Sequence, residues 1–143
     1  MATKVTTIYK DGLAFDTISD GHHLVMDVSA DAGGKDLGPR PKPLLLAALS
    51  GCSGMDVVSI LQKMQVKGYT FRIEMEADST SEHPITYHTI RMNFIFDGDD
   101  LPADKIRKAV DLSLERYCGV NAMLRKAANI IPGIIINDQE VPL

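Results

Sequence analysis

From Pro43 to Met64 the chain reads Pro-Leu-Leu-Leu-Ala-Ala-Leu-Ser-Gly-Cys-Ser-Gly-Met-Asp-Val-Val-Ser-Ile-Leu-Gln-Lys-Met, and any fold must find cover for this stretch. It is too long for one strand and closes on polar residues, so it predicts a helix beginning near Pro41 to Leu44. Pro43 suits the first turn, where its missing N–H costs no intrahelical hydrogen bond. Leu, Val, Ile, Met and Ala cover most of the circumference, the pattern of a helix buried on nearly all sides. One stripe differs. Cys52, Asp56, Ser59 and Lys63 are spaced by four, three and four and so align along one face. Two readings fit this stripe: a solvated edge with Cys52 as a small buried hydrophobe, or a thiol with a chemical task. Glycine in a helix interior costs about 1 kcal/mol, so Gly51 and Gly54 on either side of Cys52 imply the close approach of a packed element or a substrate.

The remaining chain bounds the choice. Its 143 residues suffice for one domain, residues 1–143, with a real core. The net charge is −4 and the lysines and arginines are scattered, which gives no footprint for nucleic acid. Polar residues interrupt every apolar run before it reaches the roughly 18 residues of a membrane span, and Met1-Ala2-Thr3-Lys4-Val5 lacks the pattern of a signal sequence. A cytoplasmic protein without a membrane partner is expected. There, two cysteines do not form a permanent structural bridge, whereas a transient catalytic one is allowed. No cofactor is implied. Gly33-Gly34-Lys35 lacks the spacing of a phosphate loop, and the four histidines show no metal-ligand pattern.

Thr3 to Lys10, Leu13 to Ser19 and His23 to Val28 predict three strands joined by Asp11-Gly12 and Asp20-Gly21 turns. Ala32 to Pro43, rich in Gly and Pro, reads as a linker. After the long helix, Tyr69, Phe71, Ile73, Met75 and Ala77 alternate with polar residues, a strand with one dry face. Ile85 to Phe96 forms another. Pro102 opens a helix carrying Ile106, Val110, Leu114 and Tyr117 at helical spacing. Cys118-Gly119 breaks it, Val120 to Ala128 resumes it, and Ile134-Ile135-Ile136 is a last strand. The order βββ-α-ββ-αα-β argues for an α+β fold with antiparallel sheets. One sheet leaves an all-round apolar helix uncovered, so a second copy is the natural cover and a homodimer is expected.

Cys118 falls where one helix stops and another starts, and N–H groups at a helix start favour a thiolate. It lies 118 − 52 = 66 positions from Cys52, which is neither a C-x-x-C motif nor a zinc spacing. Two segments then carry a resemblance. A Gly/Pro loop enters Pro41-Lys42-Pro43-Leu44-Leu45-Leu46-Ala47-Ala48-Leu49-Ser50-Gly51-Cys52, and Arg116-Tyr117-Cys118-Gly119-Val120-Asn121 precedes the Ile-rich strand. From Leu13 to about Asn137 the chain resembles the OsmC/Ohr family of osmotically inducible and organic-hydroperoxide-resistance thiol peroxidases. The resemblance implies an intertwined dimer in which antiparallel sheets wrap long central helices. It also implies that Cys52 attacks an organic hydroperoxide and becomes a sulfenic acid. Cys118 then resolves this to a disulfide, and an external dithiol restores both thiols.

Three departures mark a less characterised OsmC-like branch. Lys42 stands where well-studied members carry a Glu ten residues before the first cysteine. Lys10 is the best candidate at the position of their partner Arg, and Gly119 replaces the usual Pro. A carboxylate one turn from a thiol, as Asp56 is from Cys52, disfavours a thiolate unless a cation offsets it; Lys42 and Lys10 are the expected cations. Leu45 and Met55 are expected to wall an apolar substrate pocket. Three functions follow: a hydroperoxide-reducing peroxidase in oxidative-stress defence, an OsmC-like small-molecule binding protein with little turnover, or a structural dimer with inert cysteines.

Overall fold

A computed structural model describes all residues, Met1–Leu143. The chain divides into two compact units, Met1–Ala47 and Ala48–Leu143. The first begins with an antiparallel meander of β1 (Thr6–Asp11), β2 (Ala14–Ser19) and β3 (His22–Met26). The Asp20-Gly21 turn falls where the sequence predicts it, whereas the first turn is shifted by one: Asp11 ends β1 paired with Ala14, and Gly12 and Leu13 form the loop. Ser19 pairs with His22, leaving Asp20 and Gly21 as a two-residue loop with φ of 49° and 78°. Two positive φ angles in succession are what a type I′ hairpin turn demands.

The segment read as a linker has a polar anchor. Asp27 is 2% exposed, and its carboxylate accepts the backbone N–H groups of Val28 at 2.8 Å, Lys35 at 3.1 Å and Leu37 at 3.2 Å. Gly38 has a specific reason to be glycine, because a Cβ there would fall on the Val25 carbonyl. The Val28 N–H, ahead of those of Leu37 and Lys35, holds the Asp27 carboxyl below the usual carboxylate range against its burial. The ionised form is therefore favoured by folding. Its stabilisation is fully present above the unfolded pKa of about 3.9 and is lost as pH falls through the lower folded value. In urea melts, Asp27→Asn is expected to be less stable than wild type at pH 7, with the gap shrinking as pH falls below about 4. A gap that stays constant from pH 7 down to about 3 would deny the carboxylate this role.

Helix α1 (Pro41–Lys63) starts where the sequence places it. Within the second unit, β4 (Tyr69–Ser79) and β5 (Tyr87–Gly98) form a long antiparallel hairpin. The even alternation of half-buried and exposed side chains along β4 follows the sequence pattern. Phe94 and Phe96 on β5 are 0% exposed, and Phe71 stacks on both, with ring centroids 6.3 and 4.3 Å apart. A Cβ at Gly54 would come within 3.2 Å of Ile73 Cδ1, so this glycine lets α1 approach β4.

The fold is α+β, as expected, with a difference at its far end. After β5 the chain runs through α2 (Ala103–Leu112), a π-helical turn at Ser113–Tyr117 and α3 (Gly119–Leu124) before β6 (Asn129–Ile136) and β7 (Gln139–Val141). The sheet order is β4-β5-β6-β7, and β6 lies parallel to β5 rather than antiparallel. A parallel pair needs a long crossover, which the helical segment supplies. Helix α3 stops at Leu124 instead of Ala128, and β6 begins at Asn129. Pro132 is tolerated in β6 because β7 pairs with residues 134–136 alone, so at Pro132 the side away from β5 is a free edge. Strand β7 is three residues long, too short for the period of two to register in the sequence.

Candidate functional site

The crossover returns Cys118 to α1. The reactive or ligating atoms of Cys52, Asp56 and Cys118 all lie within 4.8 Å of one another. Both cysteines are free thiols; Cys52 is half-buried and Cys118 is buried. Each is placed by a local device. Cys52 sits one position before Ser53, which belongs to the fully buried stripe Leu49, Ser53, Val57 and Leu61 of α1. Cys118 is the N-cap of α3, and its sulfur accepts the Asn121 N–H at 3.3 Å. The Cys118 N–H donates to the Ser113 carbonyl at 2.8 Å, closing the π-helical turn. Such turns within helical segments are frequent at functional sites.

Three further polar residues hold this arrangement. Ser53 Oγ donates to Cys118 Sγ at 3.2 Å. Ser113 Oγ lies 3.3 Å from the Ser53 carbonyl and 3.2 Å from Asp56 Oδ2, and so can orient the carboxylate. The Asn121 side-chain amide donates to the Leu114 carbonyl in the π-helical turn at 2.8 Å. Sequence reasoning passed over Ser53, Ser113 and Asn121. The available signal was a serine four residues from Leu49 and from Val57 on a buried stripe, since a buried hydroxyl requires a partner.

The helix-start environment expected for Cys118 is present, but burial outweighs it. Burial pushes the Cys118 thiol up, and the Cys52 sulfur adds to this; the Ser53 hydroxyl and the Asn121 N–H oppose it without cancelling it. At rest the buried sulfur is therefore kept as a thiol.

The polar stripe of α1 is more than a solvated edge. Asp56, Ser59 and Lys63 line a cavity of about 310 Å³ together with Ile60, Leu112 and Tyr117. Met55, 76% exposed, lines a separate groove of about 480 Å³ with Gly51, Gly54, Val58 and Phe71. Leu45 is exposed on α1 and belongs to the first unit. The two lysines expected as charge partners also belong to that unit: Lys10 is exposed on β1, and Lys42 is exposed in the first turn of α1. Thus Cys52, Asp56 and Cys118 meet within the second unit, which contains neither lysine.

By length and apolar composition alone α1 is comparable to a membrane span, with a mean hydropathy of 1.8. Its central turns nevertheless carry Ser53 and Asp56, both engaged by the crossover.

The comparisons with known proteins agree with this architecture. The family described as OsmC-like protein matches residues 33–132. Protein YhfA of Escherichia coli strain K12 is 38% identical over 121 residues, which span 84% of this chain and 87% of YhfA. A hypothetical protein from Aquifex aeolicus VF5 superposes with a TM-score of 0.84 at 24% identity, covering 96% of this chain and 97% of that one. The organic hydroperoxide resistance protein OhrB of Bacillus subtilis superposes with a TM-score of 0.62 at 18% identity, covering 96% and 98%. With the family match spanning most of the chain, and its two cysteines lying close together where α1 meets the crossover, this protein belongs to the OsmC-like family.

Proposed function

We propose that the protein reduces organic hydroperoxides through its two cysteines, in the cytoplasm, as a defence against oxidative stress. The observation that carries this reading is the approach of two free thiols within 4.8 Å across 66 positions of sequence. Exposure divides the roles. Cys52 is the less buried of the two cysteines, and as a thiolate it attacks the outer peroxide oxygen. The O–O bond breaks, the departing alkoxide takes from solvent the proton that Cys52 released on ionising and leaves as the alcohol, and Cys52 becomes a sulfenic acid. The Cys118 thiol attacks the Cys52 sulfur, gives up its proton as water departs, and the disulfide closes. An external dithiol then exchanges with the disulfide and restores both thiols. Ser53 and Asn121, which donate to Cys118 Sγ, steady the negative charge as that proton leaves.

Anaerobic addition of one equivalent of cumene hydroperoxide tests the reading. Two thiols per chain are expected to disappear and to return with dithiothreitol. Thiols that survive the peroxide would instead favour an OsmC-like small-molecule binding protein.

The working unit is proposed to be a homodimer. In the single chain α1 fully buries one stripe, while Leu45 and Met55 remain 46% and 76% exposed. Light scattering at micromolar concentration is expected to give twice the 15.6 kDa chain mass. A stable species of one chain mass would rule this assembly out.

A further inference from the structure

We infer that Cys52, Asp56 and Cys118 form a binding site for a thiophilic divalent metal ion, zinc in the first instance. The inference uses the same sulfurs as the peroxide reading but needs none of its chemistry. Three donor atoms no more than 4.8 Å apart share a point within about 2.8 Å of each, whereas zinc needs about 2.3 Å to sulfur and 2.0–2.2 Å to a carboxylate oxygen. Sub-ångström adjustments of side chains therefore close the site. Two thiolates and one carboxylate select zinc or cadmium over magnesium or calcium, which prefer oxygen ligands alone.

The surroundings resemble the supporting shell of a metal site. Ser113 Oγ lies 3.2 Å from Asp56 Oδ2, while Ser53 Oγ and the Asn121 N–H donate to Cys118 Sγ. Such contacts orient ligands and steady their negative charge. With three protein ligands, the fourth tetrahedral position is left for water or a small ligand. Because the sulfurs that would carry the metal are also those that would form a disulfide, metal loading and oxidation of the pair exclude one another. The site is invisible to motif reading because its donors come from α1 and from the residue before α3, far from any standard zinc spacing.

Equilibrium dialysis of the reduced, metal-free protein against zinc chloride, with metal analysis, tests the inference without peroxide. About one zinc per chain is expected, and cadmium in its place should give a thiolate-to-metal ultraviolet band. Loss of a supporting contact typically weakens a site 10–100-fold. Ser113→Ala is therefore expected to weaken binding about 10-fold, and Asp56→Asn or Cys52→Ala more than about 100-fold. Circular dichroism establishes that each variant is folded. Alkylating both thiols before dialysis should abolish binding without any mutation. Absence of zinc binding, or binding that survives alkylation or is unchanged in Asp56→Asn, overturns the site. Because thiol loss with cumene hydroperoxide is measured on metal-free protein, either reading can fail while the other stands.

Discussion

A Cys52→Ser protein is expected to consume no organic hydroperoxide, whereas Cys118→Ser consumes about one equivalent per chain and stops as a sulfenic acid. The asymmetry follows from the two environments. Cys118 is 2% exposed, and burial holds it as a thiol despite the donors aimed at its sulfur. A protonated, enclosed sulfur is a poor first nucleophile, because the thiolate is the reactive species. It is well suited to the second step, since its target is the neighbouring Cys52 sulfur. Dimedone labelling with mass spectrometry reads the outcome. The adduct belongs on Cys52 in the Cys118→Ser protein, and none is expected on Cys118 in the Cys52→Ser protein. Label on Cys118 in the latter would reverse the roles.

The largest expected effect on stability belongs to Phe96. It is 0% exposed, stacks on Phe71 at 4.3 Å between centroids and meets Tyr69 edge-on at 5.6 Å. Truncating a buried phenylalanine to alanine removes its transfer free energy and leaves a cavity, at a cost of about 3–5 kcal/mol. Against a typical total of about 5–15 kcal/mol, Phe96→Ala leaves a marginal fold. Urea denaturation at fixed protein concentration measures the change, with concentration held constant because assembly adds to apparent stability. A loss below about 1 kcal/mol would show that this aromatic cluster is not a main support of the sheet.

Much of this fold is legible in the sequence because local rules act alone there. Asp20-Gly21 needs no tertiary help to turn, and the alternation along β4 is the pleat itself. The break at Cys118 is legible too, since Gly119 follows a clear helical run. Non-local choices are not. Nothing within Ile134-Ile135-Ile136 tells a parallel from an antiparallel neighbour, and the decision rests on the crossover before it. Asp27 does not stand out within the predicted strand His23 to Val28, because its three N–H donors come from a loop shape rather than a motif.

The candidate site divides along the same line. Asp56 follows Cys52 by one helical turn, so their proximity is a property of α1. The arrival of Cys118, and with it Ser113 and Asn121, depends on docking the crossover. Ser53 was readable in principle, as a hydroxyl on a stripe otherwise made of Leu49, Val57 and Leu61.

The length of chain between the two sulfurs also has a thermodynamic weight. Between Cys52 and Cys118 lie the rest of α1, the whole β4–β5 hairpin and α2. A bond closed across such a loop would remove roughly 4 kcal/mol of chain entropy from the unfolded state. If the pair closes as proposed, redox state and resistance to unfolding are coupled: a reductant that reopens the bond would give up this constraint, and oxidising conditions would favour the sturdier form of the protein.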